Sequence, residues 1–414
     1  DCFGVRPLFI SKNKSQAHNN ITVASEIKMM IDIVDPKTIQ SFLPATYMMI
    51  DNKNHTINSY RYFKIGQTIN VVNSSEEVAL SNIRVNLINA VKKRVENTDR
   101  TIACLLSGGL DSSIITSIVA HFHGAENLHT WSIGMKGSED LKFARKVADF
   151  LGTQHHSIEL GVNEFIDAIE EVIKTIESYD TTTVRASVGN WLIAKYIRQQ
   201  SEAKVVFNGD GSDEVTGGYM YFHYANNPLE FDHECKRLLN DIHIFDVLRS
   251  DRSISSHGLE ARTPFLDKNF IESYLSIPAE LRFNSMKKTG IEKYLLRKAF
   301  DTDEFLPTEV LWRTKEAFSD GVSHERASWF EMIQQYAISY FKVHAVEDID
   351  LTDGKQAEKY LYKQIFNKYY PDTEQVIPYL WMPKFVDATD ASARTLSIYN
   401  KNKTQNDLLI VKEN

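Results

Sequence analysis

The run Cys104-Leu105-Leu106-Ser107-Gly108-Gly109-Leu110-Asp111-Ser112-Ser113 constrains the fold of this chain most, because an apolar strand ends in a small-residue turn that opens directly into a helix. Thr101 to Leu106 reads as a short buried strand, and Ser112 to Phe122 repeats apolar residues at Ile114, Ile115, Ile118 and Val119, the spacing of one helical face. The turn between them suits an anion. Gly108 and Gly109 let backbone N–H groups approach closely, the hydroxyls of Ser107, Ser112 and Ser113 add donors, and the helix N-terminus supplies its positive dipole end. Asp111 is out of place beside phosphates unless a cation lies between them, so its presence predicts Mg²⁺ bridging phosphate oxygens. The loop lacks the Gly-Lys-Ser/Thr ending of loops that act on a γ-phosphate, so cleavage between the α- and β-phosphates of a nucleotide is the better reading.

The pattern downstream repeats this unit. Strands are expected at Leu128 to Gly134, near His155 to Leu160 and at Lys204 to Asn208, with helices across Leu141 to Leu151, Val162 to Ile176 and Ser187 to Arg198. Such alternation predicts an α/β fold with a mostly parallel sheet covered on both faces, and ligands in such sheets bind at the carboxyl ends of the strands. Beyond about residue 235 the reading is largely helical. Before it, residues 1–72 carry short β-like runs at Phe3 to Ile10, Ile21 to Ala24, Tyr47 to Ile50 and Tyr60 to Phe63. The segment Val72-Asn73-Ser74-Ser75-Glu76-Glu77 reads as a boundary with a serine N-cap, giving a β-rich part over 1–72 and a second domain over 73–414 whose nucleotide-binding core starts at about 101.

A chain of 414 residues suits two domains, and a net charge of −8 argues against a general nucleic-acid surface. The three cysteines, Cys2, Cys104 and Cys235, have no pairing or metal-ligand spacing, which points to a reducing, cytoplasmic setting. No apolar run reaches the length of a membrane span. His155-His156 lacks a third ligand at a supporting spacing and reads as a pair of strand-edge residues, not a metal site.

The second strand-then-loop element is Lys204-Val205-Val206-Phe207-Asn208-Gly209-Asp210-Gly211-Ser212-Asp213-Glu214, where glycines flank three carboxylates that repel one another without a nearby cation. Thr181-Thr182-Thr183-Val184-Arg185-Ala186-Ser187 offers hydroxyls and a guanidinium ahead of a helix, and Arg185 is suited to bidentate capture of a carboxylate or phosphate. Trp312-Arg313-Thr314-Lys315-Glu316-Ala317-Phe318-Ser319-Asp320-Gly321-Val322 supplies a lysine, on its own more often a solvated residue than a site.

Taken together these segments resemble the asparagine synthetase family, a branch of the ATP pyrophosphatases. The resemblance implies an ATP-pyrophosphatase core in which Leu106, Ser107, Gly108, Gly109, Asp111 and Ser112 bind ATP and pyrophosphate, with Asn208 and Gly209 closing over the nucleotide. Trp131-Ser132-Ile133-Gly134 is similar to the family's adenine-side strand, so Ile133 and Gly134 are expected at the base. The family usually has Ser-Gly-Glu-Gly-Ser-Asp-Glu where this chain has Asn208 and Asp210, and Asp210 inherits the role of that glutamate in forming the acyl-adenylate and handling ammonia. Lys315 takes the place that contacts the α-phosphate, and Thr182, Thr183 and Arg185 that of the Thr-Thr-Ile-Arg-Ala-Ser element serving substrate binding and turnover. Asp111 and Asp213 are the expected Mg²⁺ ligands. Gly258 to Asp267, and Ile291-Glu292-Lys293 with Leu296 to Phe300, also match and are taken as mainly structural.

Asp1-Cys2-Phe3-Gly4-Val5-Arg6-Pro7-Leu8 and Ala24-Ser25-Glu26-Ile27-Lys28 resemble the last part of a class-II glutamine amidotransferase domain of the Ntn type. In that register Cys2 is a structural residue and not the nucleophile, so the chain reads as a fragment that would use free ammonium where the intact parent draws ammonia from glutamine. The activity implied is amidation of aspartate with ATP and Mg²⁺, the partners being small molecules (aspartate, ATP, ammonia or glutamine), with a homodimer as the assembly considered. Two alternatives stand beside it: a β-lactam-synthetase-like cyclase, which closes a ring intramolecularly, and a non-catalytic nucleotide-binding protein, suggested by the Asn208 and Asp210 departures.

Overall fold

A computed structural model describes residues 1–14, 19–51, 56–65, 75–324, 328–344 and 350–399. Its centre is a parallel sheet of five strands: β6 (Ile102–Leu105), β7 (His129–Met135), β8 (Gln154–Leu160), β9 (Val205–Phe207) and β10 (Glu260–Arg262), in the order β10-β9-β6-β7-β8. Alternate residues of the central strands enter different cores. Ile102 and Cys104 of β6 and Val205 and Phe207 of β9 pack on one side, while Ala103 and Val206 pack on the other with Trp131, Ile133 and Met135 of β7. Burial on both faces is why these strands read as continuous apolar runs and not as alternating ones.

The helices that follow β6 and β9 start at the sheet's carboxyl edge, at Leu110 and Ser212. That edge is therefore where both glycine-bearing loops meet. Helix Glu139–Leu151 is capped by Ser138, whose Oγ accepts from the Leu141 N–H at 3.4 Å. The sequence expects one helix across Val162 to Ile176; the structure divides it into Val162–Asp167 and Ile169–Ile176.

Two expectations are corrected. The Thr181 to Ser187 segment is not a lead-in but the first two turns of a helix, Thr181–Gln200, because Asp180 caps it: its Oδ2 accepts from Thr183 N–H at 2.9 Å and from the Thr183 hydroxyl at 2.8 Å. The helical stretch beyond 235 is interrupted by β10, which pairs in parallel with β9 from Glu260 to Arg262 and forms one edge of the sheet.

The N-terminal part is β-rich as expected: β1 (Phe9–Lys14), β2 (Asn19–Ala24) and β3 (Ile39–Ser41) form an antiparallel sheet, and β4 (Thr46–Asp51) pairs with β5 (Thr56–Arg61), so that the Ile21–Ala24 and Tyr47–Ile50 runs fall inside strands while the first strand starts later than expected and the last ends earlier. It is fastened to the α/β core. Phe9, Ile27, Met30 and Ile39 share one hydrophobic cluster with the sheet, and the N–H groups of Ile27 and Lys28 donate to the buried Glu177 carboxylate at 2.7 and 2.9 Å. Cys2 packs half-buried against the other cluster, in keeping with a structural role. At the expected boundary, Ser75 does cap helix Glu76–Glu96, while residues 72–74 lie outside the described residues.

Candidate active site

A cleft opens at the carboxyl edge of the sheet, and its wall contains residues of the Ser107 and Gly209 loops, Ile133, Thr182, Asp210, Asp213, Lys293, Arg313 and Lys315. The two loops touch. A Cβ added at Gly209 would lie 2.8 Å from both the Asp111 Cβ and the Ser112 nitrogen, so only glycine lets them approach. Gly108 has φ +74°, and a Cβ there would meet the Phe143–Ala144 backbone at 2.4 Å, which fixes the loop against helix Glu139–Leu151. Within the loop, Ser107 N–H donates to Ser112 Oγ at 3.2 Å and the two serine hydroxyls lie 3.0 Å apart. Ser113 faces inward, with its Oγ buried and unpartnered.

At the bottom of the cleft four charged side chains alternate in sign. Lys293 Nζ lies 2.6 Å from Asp111 Oδ2 and 2.6 Å from Asp213 Oδ1, and Lys315 Nζ lies 2.7 Å from Asp213 Oδ2. Burial alone would raise the Asp213 pKa, but the two ammonium groups outweigh it and hold the carboxyl well below its usual range. Lys315 is correspondingly raised: burial opposes its charge, and Asp213 and Asp111 more than restore it. The cation that Asp111 demands is thus, in the protein itself, the ammonium of Lys293. Lys293 is 3% exposed and stands at φ +58°, the residue preceding helix Tyr294–Ala299. Reading it as structural missed it; the local sequence carries no signal, whereas Gly218, where a Cβ would lie 1.9 Å from Lys293 Cε, marks the channel the side chain occupies.

Magnesium fits beside this set in a limited way. Among the described residues no group of three or more His, Cys, Asp or Glu side chains is assembled for a metal. Asp111 and Asp213 do face one another across Lys293 Nζ, each 2.6 Å from it, and Mg²⁺ is ordinarily held by one or two carboxylates with the remaining positions filled by phosphate oxygens and water.

A second charged group lies around Asp210. Arg249 Nη2 donates to Asp210 Oδ1 at 3.3 Å and to Asp246 Oδ1 at 2.6 Å. The Tyr219 hydroxyl lies 2.5 Å from Glu214 Oε1 and 3.0 Å from Asp246 Oδ2. Burial, reinforced by Asp246 and Asp213, pushes Glu214 well above the usual carboxylate range. Asp246 goes the other way, because Arg249 outweighs its burial. Burial also raises Asp210, with Arg249 and Ser250 opposing the shift. Arg249 and Tyr219 are further cleft residues that the sequence reading did not single out.

Arg313 is another. Its Nη1 donates to the Gly108 carbonyl at 3.2 Å and its Nη2 to Asp140 Oδ1 at 3.1 Å, with the guanidinium 4.1 Å from the centre of the Phe143 ring. One side chain therefore ties the segment bearing Lys315 to the Ser107–Ser113 loop.

Three expected substrate contacts are not brought together. Arg185 is buried in a closed ion-pair cluster, bidentate to Glu358 at 2.7 and 2.6 Å and paired with Asp390 at 2.7 and 3.0 Å. It is not among the residues of the cleft wall, and four of its five N–H donors are taken by these two carboxylates of the protein itself. Thr183 spends its hydroxyl on the Asp180 cap. Gly134 does not reach the cleft wall, although Ile133 does. Thr182 holds its place: it lines the cleft, and its hydroxyl is buried without a hydrogen-bond partner. Asn208 lines the cleft too, but its side chain is committed, with Nδ2 donating to Ser250 Oγ at 2.7 Å and Oδ1 accepting from Asp210 N–H at 3.3 Å. His155 and His156 sit on the edge strand β8, hydrogen-bonded to Thr130, Ser132 and His129.

The asparagine synthase family model matches residues 82–234 and 225–393, which spans the sheet, both loops and the Lys293 and Lys315 segments. This chain belongs to the asparagine synthase family. It is 43% identical over 426 aligned residues to the glutamine-hydrolyzing asparagine synthetase of Gallus gallus, covering 96% of this chain and 74% of that protein. The Rattus norvegicus and Homo sapiens enzymes of the same name are 42% and 41% identical, with the same coverage. Family membership makes the chain a ligase. Among its described residues no helix is long and apolar enough to cross a membrane.

Proposed function

We propose that the cleft activates the β-carboxylate of L-aspartate with ATP, forming β-aspartyl-AMP and pyrophosphate, and that ammonia then displaces AMP to give L-asparagine. The observation that carries the reading is the alternating Asp111–Lys293–Asp213–Lys315 set, which begins on the Ser107–Ser113 loop itself. The loop's N–H groups and hydroxyls receive the leaving pyrophosphate. Lys315, already 2.7 Å from Asp213, offers a compact positive charge to the α-phosphorus as the carboxylate attacks it. Bound Mg²⁺ would neutralise phosphate charge at Asp111 and Asp213. Ile133 packs against the adenine, and Thr182 lines the cleft beside the substrate.

The second charged group serves the amino acid. Arg249 and the ionised Asp246 provide the opposite charges that an α-carboxylate and an α-ammonium require, and Asp210, next to Gly209 in the loop and 3.3 Å from Arg249, orients the ammonia and takes its proton. Cys2, Cys104 and Cys235 are unpaired, which suits a reducing cytoplasm. The test is product analysis with aspartate, ammonium, ATP and Mg²⁺. AMP and pyrophosphate released in equal amounts, with asparagine formed, is the expected result; ADP and phosphate would overturn it.

A further inference from the structure

We propose that Lys293 keeps the Asp111–Asp213 pair closed to a free divalent cation, so that a metal enters only together with the phosphates of the nucleotide. The proposal rests on one part of the functional reading above, the placement of Mg²⁺ at Asp111 and Asp213. Two carboxylates facing each other in a cleft ordinarily attract a cation. Here all four of their oxygens already have a protein donor beside them. Asp111 Oδ1 accepts from the Ser212 hydroxyl at 2.7 Å, and its Oδ2 lies 2.6 Å from Lys293 Nζ. Asp213 Oδ1 lies 2.6 Å from the same ammonium, and its Oδ2 lies 2.7 Å from Lys315 Nζ. Two negative charges meet two positive ones, and the set has no net charge with which to draw a cation out of water.

The two lysines are not equivalent. Lys315 pairs with Asp213, whereas Lys293 bridges both carboxylates, and the Lys293 side chain is 1% exposed against 12% for Lys315. Lys293 runs in a channel that exists because residue 218 is glycine: a Cβ there would lie 1.9 Å from Lys293 Cε and 2.3 Å from Asp213 Oδ1. Its backbone is pinned from below, the Arg297 N–H donating to the Lys293 carbonyl and the Arg297 Nε to the Glu292 carbonyl, each at 2.9 Å. An ammonium held on all sides has no open direction in which to swing and admit a metal ion. A free Mg²⁺ therefore meets a fixed positive charge at the point where it must bind. A bound triphosphate adds several negative charges at once, gives the ammonium groups further oxygens to share, and turns the sum in favour of the metal. Lys293 thereby couples the binding of metal to the binding of nucleotide.

The test is Mn²⁺ binding without nucleotide, followed by electron paramagnetic resonance, in the wild type, K293M, K315M and K293M/D213N, with thermal melting alongside. Methionine keeps much of the length of the side chain in the Gly218 channel and removes its charge. The wild type should bind Mn²⁺ with a Kd of about 1 mM or weaker, the weak end of carboxylate sites. K293M should bind at least about 10-fold more tightly, because a unit charge within a few ångströms of the metal is worth more than that even in a partly screened cleft. K315M should gain less, since Lys293 still bridges the pair, and the double variant should lose the gain with one carboxylate removed. Mn²⁺ should also raise the melting temperature of K293M and leave that of the wild type unchanged at the same concentration. Tight binding by the nucleotide-free wild type, no gain in K293M, a larger gain in K315M, or a gain that survives D213N would each overturn the proposal. K293Q is the second variant: folding of either only with Mn²⁺ present supports the proposal, and failure of both to fold even then makes Lys293 a structural cation and refutes it. None of these readouts depends on turnover. A chain that binds Mn²⁺ as described but forms no AMP with aspartate would lose the functional reading and keep this inference, and the reverse result would separate them the other way.

Discussion

Two largely buried assemblies of cations and carboxylates differ in what they leave open. Around Arg185, the guanidinium, Glu358 and Asp390 have side-chain exposures of 3%, 0% and 5%, with paired hydrogen bonds to each carboxylate. Around Asp213, the partners are ammonium groups, each a point charge that accepts new neighbours without a fixed planar geometry, and the carboxylates of Asp111 and Asp213 are both 19% exposed toward the cleft. The first assembly is closed and the second is open. Burial and charge are common to both, so neither property separates a strut from a site; the separating property is whether a polar group can still exchange its partner.

The largest expected effect breaks the closed assembly. Arg185→Ala leaves Glu358 and Asp390 facing each other in the interior and should cost about 3–5 kcal/mol of stability, read as a fall in the urea midpoint. The folded fraction should keep its KM for aspartate; a selective rise in that KM with stability unchanged would return Arg185 to the substrate. Next is the open assembly. Lys315→Ala removes the charge opposite the α-phosphorus and should lower pyrophosphate release about 10²- to 10³-fold, with a smaller loss of stability than the Arg185 variant, because Lys293 still pairs with Asp213 at 2.6 Å. A collapse in stability comparable to that of the Arg185 variant would show that the two assemblies do not differ in kind.

What could be read from the sequence follows the same division. Strands β6, β7 and β9 were legible because burial on both faces makes them apolar runs ahead of glycine turns, and the two phosphate-side loops are contiguous in the chain; the polar edge strand β8 was legible only from its place in the strand–helix alternation. The three-residue β10 was not, since Glu260 and Arg262 put charges at both ends of a strand that lies at the sheet edge. The start of helix Thr181–Gln200 was hidden by three successive β-branched threonines, poor helix formers that Asp180 overrides by capping. Lys293 had no local signature at all: its meaning lies in its distance to Asp111 and Asp213, 182 and 80 positions away in the chain. Arg185 shows the converse failure, a residue whose immediate neighbours suggest a site but whose partners, Glu358 and Asp390, are distant in sequence and close it off.

The smallest effect sharpens the comparison through pH, because carboxyls near the cleft are shifted in both directions. Asp213 is held below its usual range by lysines, so the stability it contributes is present above its unfolded pKa and is lost as the pH falls. Asp320, on the segment that carries Lys315, is pushed up to about 6, by burial first and by Glu316 in addition, with Arg394 and Ser392 opposing. A carboxyl raised in the folded state is stabilising while protonated in both states and loses that contribution as the pH climbs from about 4 through about 6. Asp320→Asn mimics the protonated group and retains an oxygen to accept from Ser392 Oγ, which donates to Asp320 Oδ1 at 2.8 Å in the wild type. The variant should therefore melt like the wild type near pH 4 and above it beyond pH 6, by no more than about 3 kcal/mol, the value of a shift of roughly two pKa units. A variant less stable than the wild type at pH 7 would mean that the Asp320 charge is needed by Arg394, and that this pair belongs with the closed assembly around Arg185.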